Sequence, residues 1–197
     1  MQARRSRWVR WGLFVLLSLP VVAYLTYVSP LPQWILNYEF ARDLPRFRML
    51  VTQSGSLALY EGLPHQRFET ALLQQELAQK QTTNSGGFPF YAEKISPSPA
   101  DAKRLKDIYC QEGAFTPRLF GVVWRCGGYH PDYCLVWGEA ASICLVQICF
   151  GCQQMKTFAG GKELYCQMSS AACSDLKQLL VAYQRNRPKT EFSPKVD

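Results

Sequence analysis

The chain lacks most of the residues and motifs that usually carry catalysis. It holds only two histidines among 197 residues. It has no Gly-x-Ser-x-Gly nucleophile elbow, no phosphate-binding glycine loop, no His-Glu-x-x-His motif and no helix with paired carboxylates. No window repeats with a fixed period, which excludes solenoids and propellers. The sequence therefore shows no residues that could carry out hydrolase or kinase chemistry, and a non-enzymatic role is favoured.

Outside the N-terminus, the chain also has little excess of positive over negative charge. The formal net charge is +7, from 22 basic and 15 acidic residues. Four basic residues precede the first acidic one: Arg4, Arg5, Arg7 and Arg10. The rest of the chain has a balance of only +3, because 18 basic residues face 15 acidic ones. Later basic residues, among them Arg185 and Arg187, are expected to be solvated, and no stripe of cations alternates with stacking aromatics. We therefore expect no nucleic-acid partner.

An uncharged apolar segment over residues 11–28 follows the arginines. As a helix it spans ~27 Å, close to the ~30 Å of a hydrocarbon core. Trp8 and Trp11 at one end, and Tyr24 and Tyr27 at the other, are typical of the two headgroup interfaces. A transmembrane anchor is therefore favoured over a signal peptide or a buried core helix, which the segment also fits.

The arginine cluster predicts the orientation of this anchor. Under the positive-inside rule it holds residues 1–10 in the cytoplasm as a short stub, so these four arginines determine the topology. The main domain then lies outside the cytoplasm, in the periplasm or at the cell surface. A signal peptide cleaved near residue 23 would deliver the domain to the same compartment. The membrane is the first expected partner, and a protein of the envelope is the second.

The rest of the sequence is predicted to form three parts. Residues 29–50 form a juxtamembrane segment, with a short helix over 33–43 that ends before Pro45 because proline lacks an amide donor. Residues 51–185 form the extracytoplasmic domain. Residues 186–197 form a polar tail that we expect to be mobile.

Hydrophobic patterning within the domain predicts an α+β fold. Four apolar runs joined by short turns predict an antiparallel meander over 133–137, 143–149, 153–158 and 162–168. Further strands are predicted over 56–60, 88–95 and 118–126, and a polar loop over 80–87. Helices are predicted over 68–77, over 98–113 behind a serine cap, and from residue 169 onward. We expect a small antiparallel sheet with helices packed on one face.

All eight cysteines fall between residues 110 and 173. They are Cys110, Cys126, Cys134, Cys144, Cys149, Cys152, Cys166 and Cys173. An even number of cysteines outside the cytoplasm predicts disulfides. We expect two to four bridges, each contributing ~2–4 kcal/mol to the free energy of unfolding.

The sharpest local feature is Cys149-Phe-Gly-Cys152. It caps a predicted hairpin, and neither a helix N-terminus nor a nearby cation stabilises a thiolate there as in a redox pair. We therefore favour a structural bridge between Cys149 and Cys152. A zinc knuckle is the alternative, because two thiolates of such a hairpin can converge on a metal. The residues that could supply the missing ligands are Cys126, Cys134, Cys166 and His130.

His130 lies in a loop that contains glycine and proline and leads into a predicted strand. A turn histidine before Pro131 is the favoured interpretation, with a ligand or catalytic role as the alternative. His65 follows Pro64 in another loop and has no distinguishing neighbour.

The run from Tyr129 to Trp137, followed by Ile148-Cys-Phe-Gly-Cys152, resembles a loosely defined group of bacterial envelope proteins. Those proteins have an Ile-Cys-Phe-x-Cys hairpin and no known activity. The resemblance covers roughly residues 88–183, and its most specific part is 148–152. It implies a bacterial origin and supplies no activity. The sequence thus predicts a membrane-anchored extracytoplasmic domain with a structural or partner-binding role, the alternative being a thiol-redox or zinc-binding domain centred on the Cys-x-x-Cys hairpin.

Overall fold

The computed structural model describes residues 31–119, 127–139 and 142–188. The predicted anchor, its four arginines and Cys126 lie outside these residues. Within the described part of the chain, no helix is long and apolar enough to cross a membrane.

The described residues form an α+β fold, as predicted. The strands are β1 (Leu57–Glu61), β2 (Thr82–Ser85), β3 (Phe88–Tyr91), β4 (Phe115–Pro117), β5 (Tyr133–Trp137), β6 (Cys144–Cys149), β7 (Gln154–Ala159) and β8 (Lys162–Met168). The helices are α1 (Leu31–Gln53), α2 (Thr70–Gln79), α3 (Pro99–Cys110) and α4 (Ser170–Leu180), and a 3-10 turn follows at Val181–Tyr183.

Six strands build one antiparallel sheet in the order β1-β5-β6-β7-β8-β4. The central run from β5 to β8 is the predicted meander, in which chain neighbours are sheet neighbours. β1 and the three-residue β4 close the two edges. Pro117 ends β4, as expected of a residue that cannot donate to a strand ladder.

Three helices cover one face of this sheet. Apolar side chains of α1, α3 and α4 share a single core with alternate residues of the strands, among them Leu135, Val146 and Met155. Three α1 residues enter this core: Leu44, Phe47 and Val51. α2 contributes instead to a smaller cluster of Leu63, Leu73 and Tyr91.

The predicted end of the first helix before Pro45 is wrong, because α1 continues through this proline to Gln53. Pro45 lies on the exposed side of α1, where water can bind the carbonyl that loses its partner. An interior proline costs ~3 kcal/mol. Burial of Leu44, Phe47 and Val51, at ~1.5–3 kcal/mol each, outweighs that cost.

The predicted serine cap is confirmed at α3. The Asp101 N–H donates to the Ser98 hydroxyl oxygen at 3.1 Å, and Pro99 occupies the first turn. α4 begins in the same way, with the Ala172 N–H donating to Ser169 at 3.2 Å. In both cases serine satisfies an amide that would otherwise lack a partner.

The predicted loop over 80–87 is wrong in its central part, which forms strand β2. β2 and β3 make a two-stranded ribbon with a turn at Gly86 and Gly87. This ribbon lies on the sheet face opposite the helices, where the Gln147 side-chain amide donates to the Ser85 carbonyl at 2.6 Å. The polar sequence of β2 lacks strand periodicity because both of its faces are partly exposed.

Gly62 brings the end of β1 against the loop that precedes β5. Its N–H donates to the Asp132 carbonyl at 2.8 Å, and a Cβ built here would lie 2.1 Å from the Pro131 carbonyl oxygen. We expect Gly62→Ala to lower the free energy of unfolding by about 1–3 kcal/mol, because backbone must move to relieve the overlap. Urea denaturation of the full chain measures this loss.

Gly55→Ala is the matched control, since nothing lies within 4 Å of its added Cβ. This variant should unfold as the parent does or become slightly more stable, because alanine restricts the unfolded chain. Equal denaturation midpoints for the two variants would contradict the close approach at Gly62.

Candidate functional site

Three carboxylates and one arginine meet where β1 ends and β5 begins. We call Glu61, Glu69, Asp132 and Arg187 the acid–arginine cluster. Glu61 is 1% exposed and Glu69 is 9% exposed, so both carboxylates are removed from bulk water. Buried carboxylates are costly unless they are paired or hydrogen-bonded. The contacts of these residues therefore determine what the cluster can do.

Glu61 is satisfied by backbone. Its carboxylate accepts three successive N–H groups, from Arg185 at 3.0 Å, Asn186 at 2.7 Å and Arg187 at 3.0 Å. Asn186 and Arg187 belong to the segment that the sequence assigned to the polar tail. Here they are fastened to the first strand of the sheet, while residues 189–197 lie outside the described residues.

Arg187 joins the other two carboxylates. Nη1 donates to Asp132 Oδ1 at 2.8 Å and Nη2 donates to Glu69 Oε2 at 2.8 Å. Burial disfavours the charged guanidinium, but Asp132 and Glu69 outweigh this effect and raise the pKa of Arg187. The expectation that Arg187 is a solvated surface charge is therefore wrong.

Backbone amides complete the hydrogen bonding of the cluster. Asp132 Oδ2 accepts the Phe150 N–H at 2.7 Å, and Glu69 Oε2 accepts the His65 N–H at 2.7 Å. A cavity of about 360 Å³ opens beside these groups, with Lys177 on its wall. Because each carboxylate already accepts from fixed donors, the cluster is built to hold chain segments together rather than to accept a proton from a substrate.

A second cavity of about 440 Å³ lies on the other side of the 127–132 loop. We call it the histidine groove. Its walls come from the segment before α2, from α2 itself, from the start of β3 and from the loop. Its lining includes Leu63, His65, Arg67, Leu73, Leu77, Phe88, Tyr129 and His130.

The two histidines meet in this groove. The ring centroids of His65 and His130 are 4.7 Å apart. Burial lowers the pKa of His130; Asp132 raises it, whereas His65 and Arg187 lower it further. His130 is therefore a neutral imidazole at neutral pH, able to donate one hydrogen bond and accept another. The Arg67 N–H donates to His65 Nδ1 at 3.0 Å, so a neutral His65 has its ring proton on Nε2.

Tyr129 attaches the groove wall to the outer face of the sheet, which is the face opposite the helices. Its hydroxyl donates to the Gln147 carbonyl at 2.9 Å. The Lys156 ammonium lies 5.2 Å from the Tyr129 ring centre, 4.9 Å from that of Tyr165 and 5.9 Å from that of Phe88. Such cation–π contacts contribute ~0.5–2 kcal/mol each and hold the ribbon and the loop in place together.

The expected bridge between Cys149 and Cys152 is absent. Cys149 is a buried free thiol, and its sulfur accepts the Cys152 N–H at 3.4 Å. Cys152 is disulfide-bonded, and Cys126 lies outside the described residues. Six of the eight cysteines are free thiols. The chain therefore has room for one bridge at most, and the expectation of two to four bridges is wrong.

The other candidate cysteines are dispersed. Cys134 is opposite Gln147 and shares the outer face of the sheet with Cys149. Cys166 is opposite Met155 and belongs to the core on the helix-covered face. Among the described residues, no group of three or more histidine, cysteine, aspartate or glutamate side chains could hold a metal ion.

Burial suppresses the reactivity of five of the six free thiols, all except Cys110. It raises the pKa of Cys149 to about 12, with Asp132 adding a smaller rise, and it also raises the pKa of Cys134 and Cys166 to about 12. The thiolate is the nucleophile and the metal ligand, so these cysteines behave as small apolar side chains.

The sequence predicts that His130, Cys149 and Cys152 lie in one region, and they do. It does not predict the acid–arginine cluster. Cys152 Sγ lies 3.5 Å from the Gly128 carbonyl oxygen, which places the predicted loop and hairpin together. Glu61 at the end of an apolar strand was the available signal, because such a carboxylate needs buried donors. Nothing local in the sequence identifies those donors as residues 185–187.

Comparisons with known proteins give no identity for this arrangement. No family model matches the chain, and neither the curated proteins nor the solved structures contain a significant match. The resemblance around Ile148–Cys152 to bacterial envelope proteins stays a prediction.

Removing the Arg187 guanidinium should strongly lower the stability of the domain. We expect Arg187→Met to lower the free energy of unfolding by about 3–5 kcal/mol, because the buried Glu69 and the partly buried Asp132 then lose their partner charge. Arg185→Met is the control, since Arg185 pairs with Glu93 at an exposed site and its loss should cost at most ~1 kcal/mol. Chemical denaturation of both variants compares the two, and similar losses would contradict the central role of Arg187.

Thiol labelling should divide the cysteines by burial. We expect one fast reaction of the native full chain with a disulfide reagent at pH 8, at the partly exposed Cys110. The buried thiols, including Cys149, should react only after denaturant is added, because their thiolate fraction is very small. Cys110→Ser should abolish the fast reaction. Fast native labelling of Cys149, located by mass spectrometry, would instead support a redox-active thiol.

Proposed function

We propose that this chain is a membrane-anchored extracytoplasmic domain with a non-enzymatic, partner-binding role. The apolar segment over residues 11–28 supports the anchor, and the arginines before it support a cytoplasmic N-terminus. The partner-binding role is supported by one observation in the described residues, the histidine groove.

The histidine groove has the size and composition of a ligand site. Its volume of about 440 Å³ falls within the ~300–1,000 Å³ of cavities that bind small ligands. Leu63, Leu73 and Leu77 supply apolar walls, and Phe88 and Tyr129 supply aromatic ones. A few polar groups among such walls fix the orientation of a ligand.

The polar groups indicate the chemistry of the partner. Arg67 provides a guanidinium at the groove, and the imidazole of His130 is neutral. No carboxylate lines the groove among the described residues. The best fit is a peptide segment that places an apolar or aromatic side chain next to a carboxylate, with Arg67 binding the carboxylate.

The arrangement gives little support to the alternative centred on Cys149 and Cys152. A redox pair needs a stabilised thiolate, whereas burial raises the pKa of Cys149. A zinc knuckle needs converging ligands, whereas Cys134 and Cys166 lie on opposite faces of the sheet. Binding of a partner requires neither feature.

Ligand-observed NMR with N-acetyl-L-phenylalanine tests the groove on the full chain in lipid nanodiscs. We expect millimolar binding, weaker binding of the corresponding amide, and loss of this preference in Arg67→Gln. Leu77→Glu should weaken binding about tenfold, equivalent to the ~1.4 kcal/mol of a lost apolar contact. Val181→Glu is the control, because Val181 is 60% exposed and lies outside the groove.

Two results would overturn the proposed binding site. One is the absence of saturation transfer to either N-acetyl-L-phenylalanine or its amide. The other is equal binding by the parent, Leu77→Glu and Val181→Glu, which would place the probe elsewhere.

A further inference from the structure

Helix α1 has an exposed apolar face that the fold leaves uncovered. We call it the α1 outer face, and it consists of Trp34, Ile35, Tyr38, Ala41, Pro45 and Met49. Trp34 is 62% exposed, Tyr38 56% and Met49 51%. Large exposed side chains gathered on one helix face mark an interaction surface more often than scattered ones do.

The spacing of these residues makes the face continuous. At 3.6 residues per turn they fall within an arc of about 120°, and the stretch from Trp34 to Met49 is ~22 Å long. The opposite side of α1 bears Leu44, Phe47 and Val51, which are buried in the main core. α1 is thus apolar on two sides, although the domain buries only one.

The residue types on this face suit a lipid headgroup layer. The rings of Trp34 and Tyr38 stack with centroids 5.9 Å apart, and the Arg42 guanidinium lies 5.7 Å from the Tyr38 ring centre. Tryptophan and tyrosine are enriched at the membrane–water interface, because their rings combine an apolar body with a polar tip.

Charged groups lie within and beside the same face, because Arg42 falls inside its arc and Arg46 and Glu39 flank it. Arg42 donates to Asp43, which also lies 3.6 Å from Lys162. Arg46 is exposed, and its guanidinium lies near Gly160 in the turn between β7 and β8, from where a lipid phosphate could serve as its anionic partner. Glu39 is the one acidic residue on the exposed border of the face.

The position of the face in the chain brings it to the membrane surface. The apolar segment over 11–28 ends six residues before Trp34. Six residues span at most ~20 Å even when extended, and the headgroup layer is ~5–8 Å thick on each side of the hydrocarbon core. A chain anchored by that segment therefore keeps the start of α1 within reach of the headgroups.

We propose that the α1 outer face lies on the headgroup layer of the bilayer that holds the anchor. This inference rests on the proposed membrane attachment and adds the orientation of the domain to it. The α1 edge of the helix layer then faces the phospholipids, while α4 lies at the far edge of that layer, beyond α3. The ribbon and the histidine groove lie on the other side and face away from the membrane.

Site-specific photo-crosslinking tests this orientation on the full chain in nanodiscs that contain phosphatidylglycerol. p-Benzoyl-L-phenylalanine replaces Tyr38, Met49 or, as a control, Val181, which is equally exposed but lies on the C-terminal 3-10 turn. We expect phospholipid adducts, measured by mass spectrometry, to be at least fivefold more abundant at positions 38 and 49 than at 181. Thermal unfolding of each variant checks that the domain is intact.

Several outcomes overturn the proposal. Adducts at position 38 alone would show that α1 stands away from the bilayer, and equal yields at all three positions would show that the domain has no fixed orientation. Protein adducts at position 49 in native membranes would show that a protein covers the face. Alkaline extraction separates the two proposals: release of the chain defeats membrane attachment itself, whereas retention without lipid adducts defeats only the orientation.

Arg46→Gln gives a second measurement. If Arg46 binds lipid phosphate, adduct yield at position 49 should fall about twofold or more in this variant. Arg104→Gln on α3 is the matched control and should leave the yield unchanged. Equal yields in both variants would overturn the assignment of Arg46 to the lipid contact.

Discussion

Burial of negative charge at one end of the sheet is the constraint on which the rest of this structure depends. Removing a carboxylate from water costs several kcal/mol unless donors replace the lost hydration. Glu61 obtains them from the backbone of residues 185–187, and Glu69 and Asp132 obtain them from Arg187. These requirements determine the path of the C-terminal segment, the entry into α2 and the conformation of the loop before β5.

The same interactions shape the groove to which we attribute binding. Glu69 lies immediately before α2, and Asp132 ends the loop that bears Tyr129 and His130. One guanidinium thus ties two opposite walls of the groove together. A binding surface made of loops would ordinarily be variable in shape, but here a buried ion pair and the cation–π contacts of Lys156 hold it.

The sequence was informative where local pattern decides structure and misleading where distant packing decides it. The meander from β5 to β8 was predictable because apolar runs alternate with short turns. Termination at Pro45 was mispredicted, since a rule about one backbone amide ignores the apolar contacts that extend α1. The cysteine count suggested bridges, yet most of these side chains fill apolar space as free thiols. The cluster at Arg187 was unpredictable, because its members are up to 126 residues apart.

The attachment of Glu61 to residues 185–187 has a consequence for the order of assembly. Glu61 lies near the start of the domain, and its hydrogen-bond donors are among the last described residues to be synthesised. A chain that leaves the ribosome or a translocation channel from its N-terminus can therefore pair β1 with β5 before the donors of the Glu61 carboxylate have emerged. Contacts between such distant residues slow folding, because a long loop must close before they form. A chain that ended before Arg185 would leave the Glu61 carboxylate without its three backbone donors, and Glu69 and Asp132 without their guanidinium.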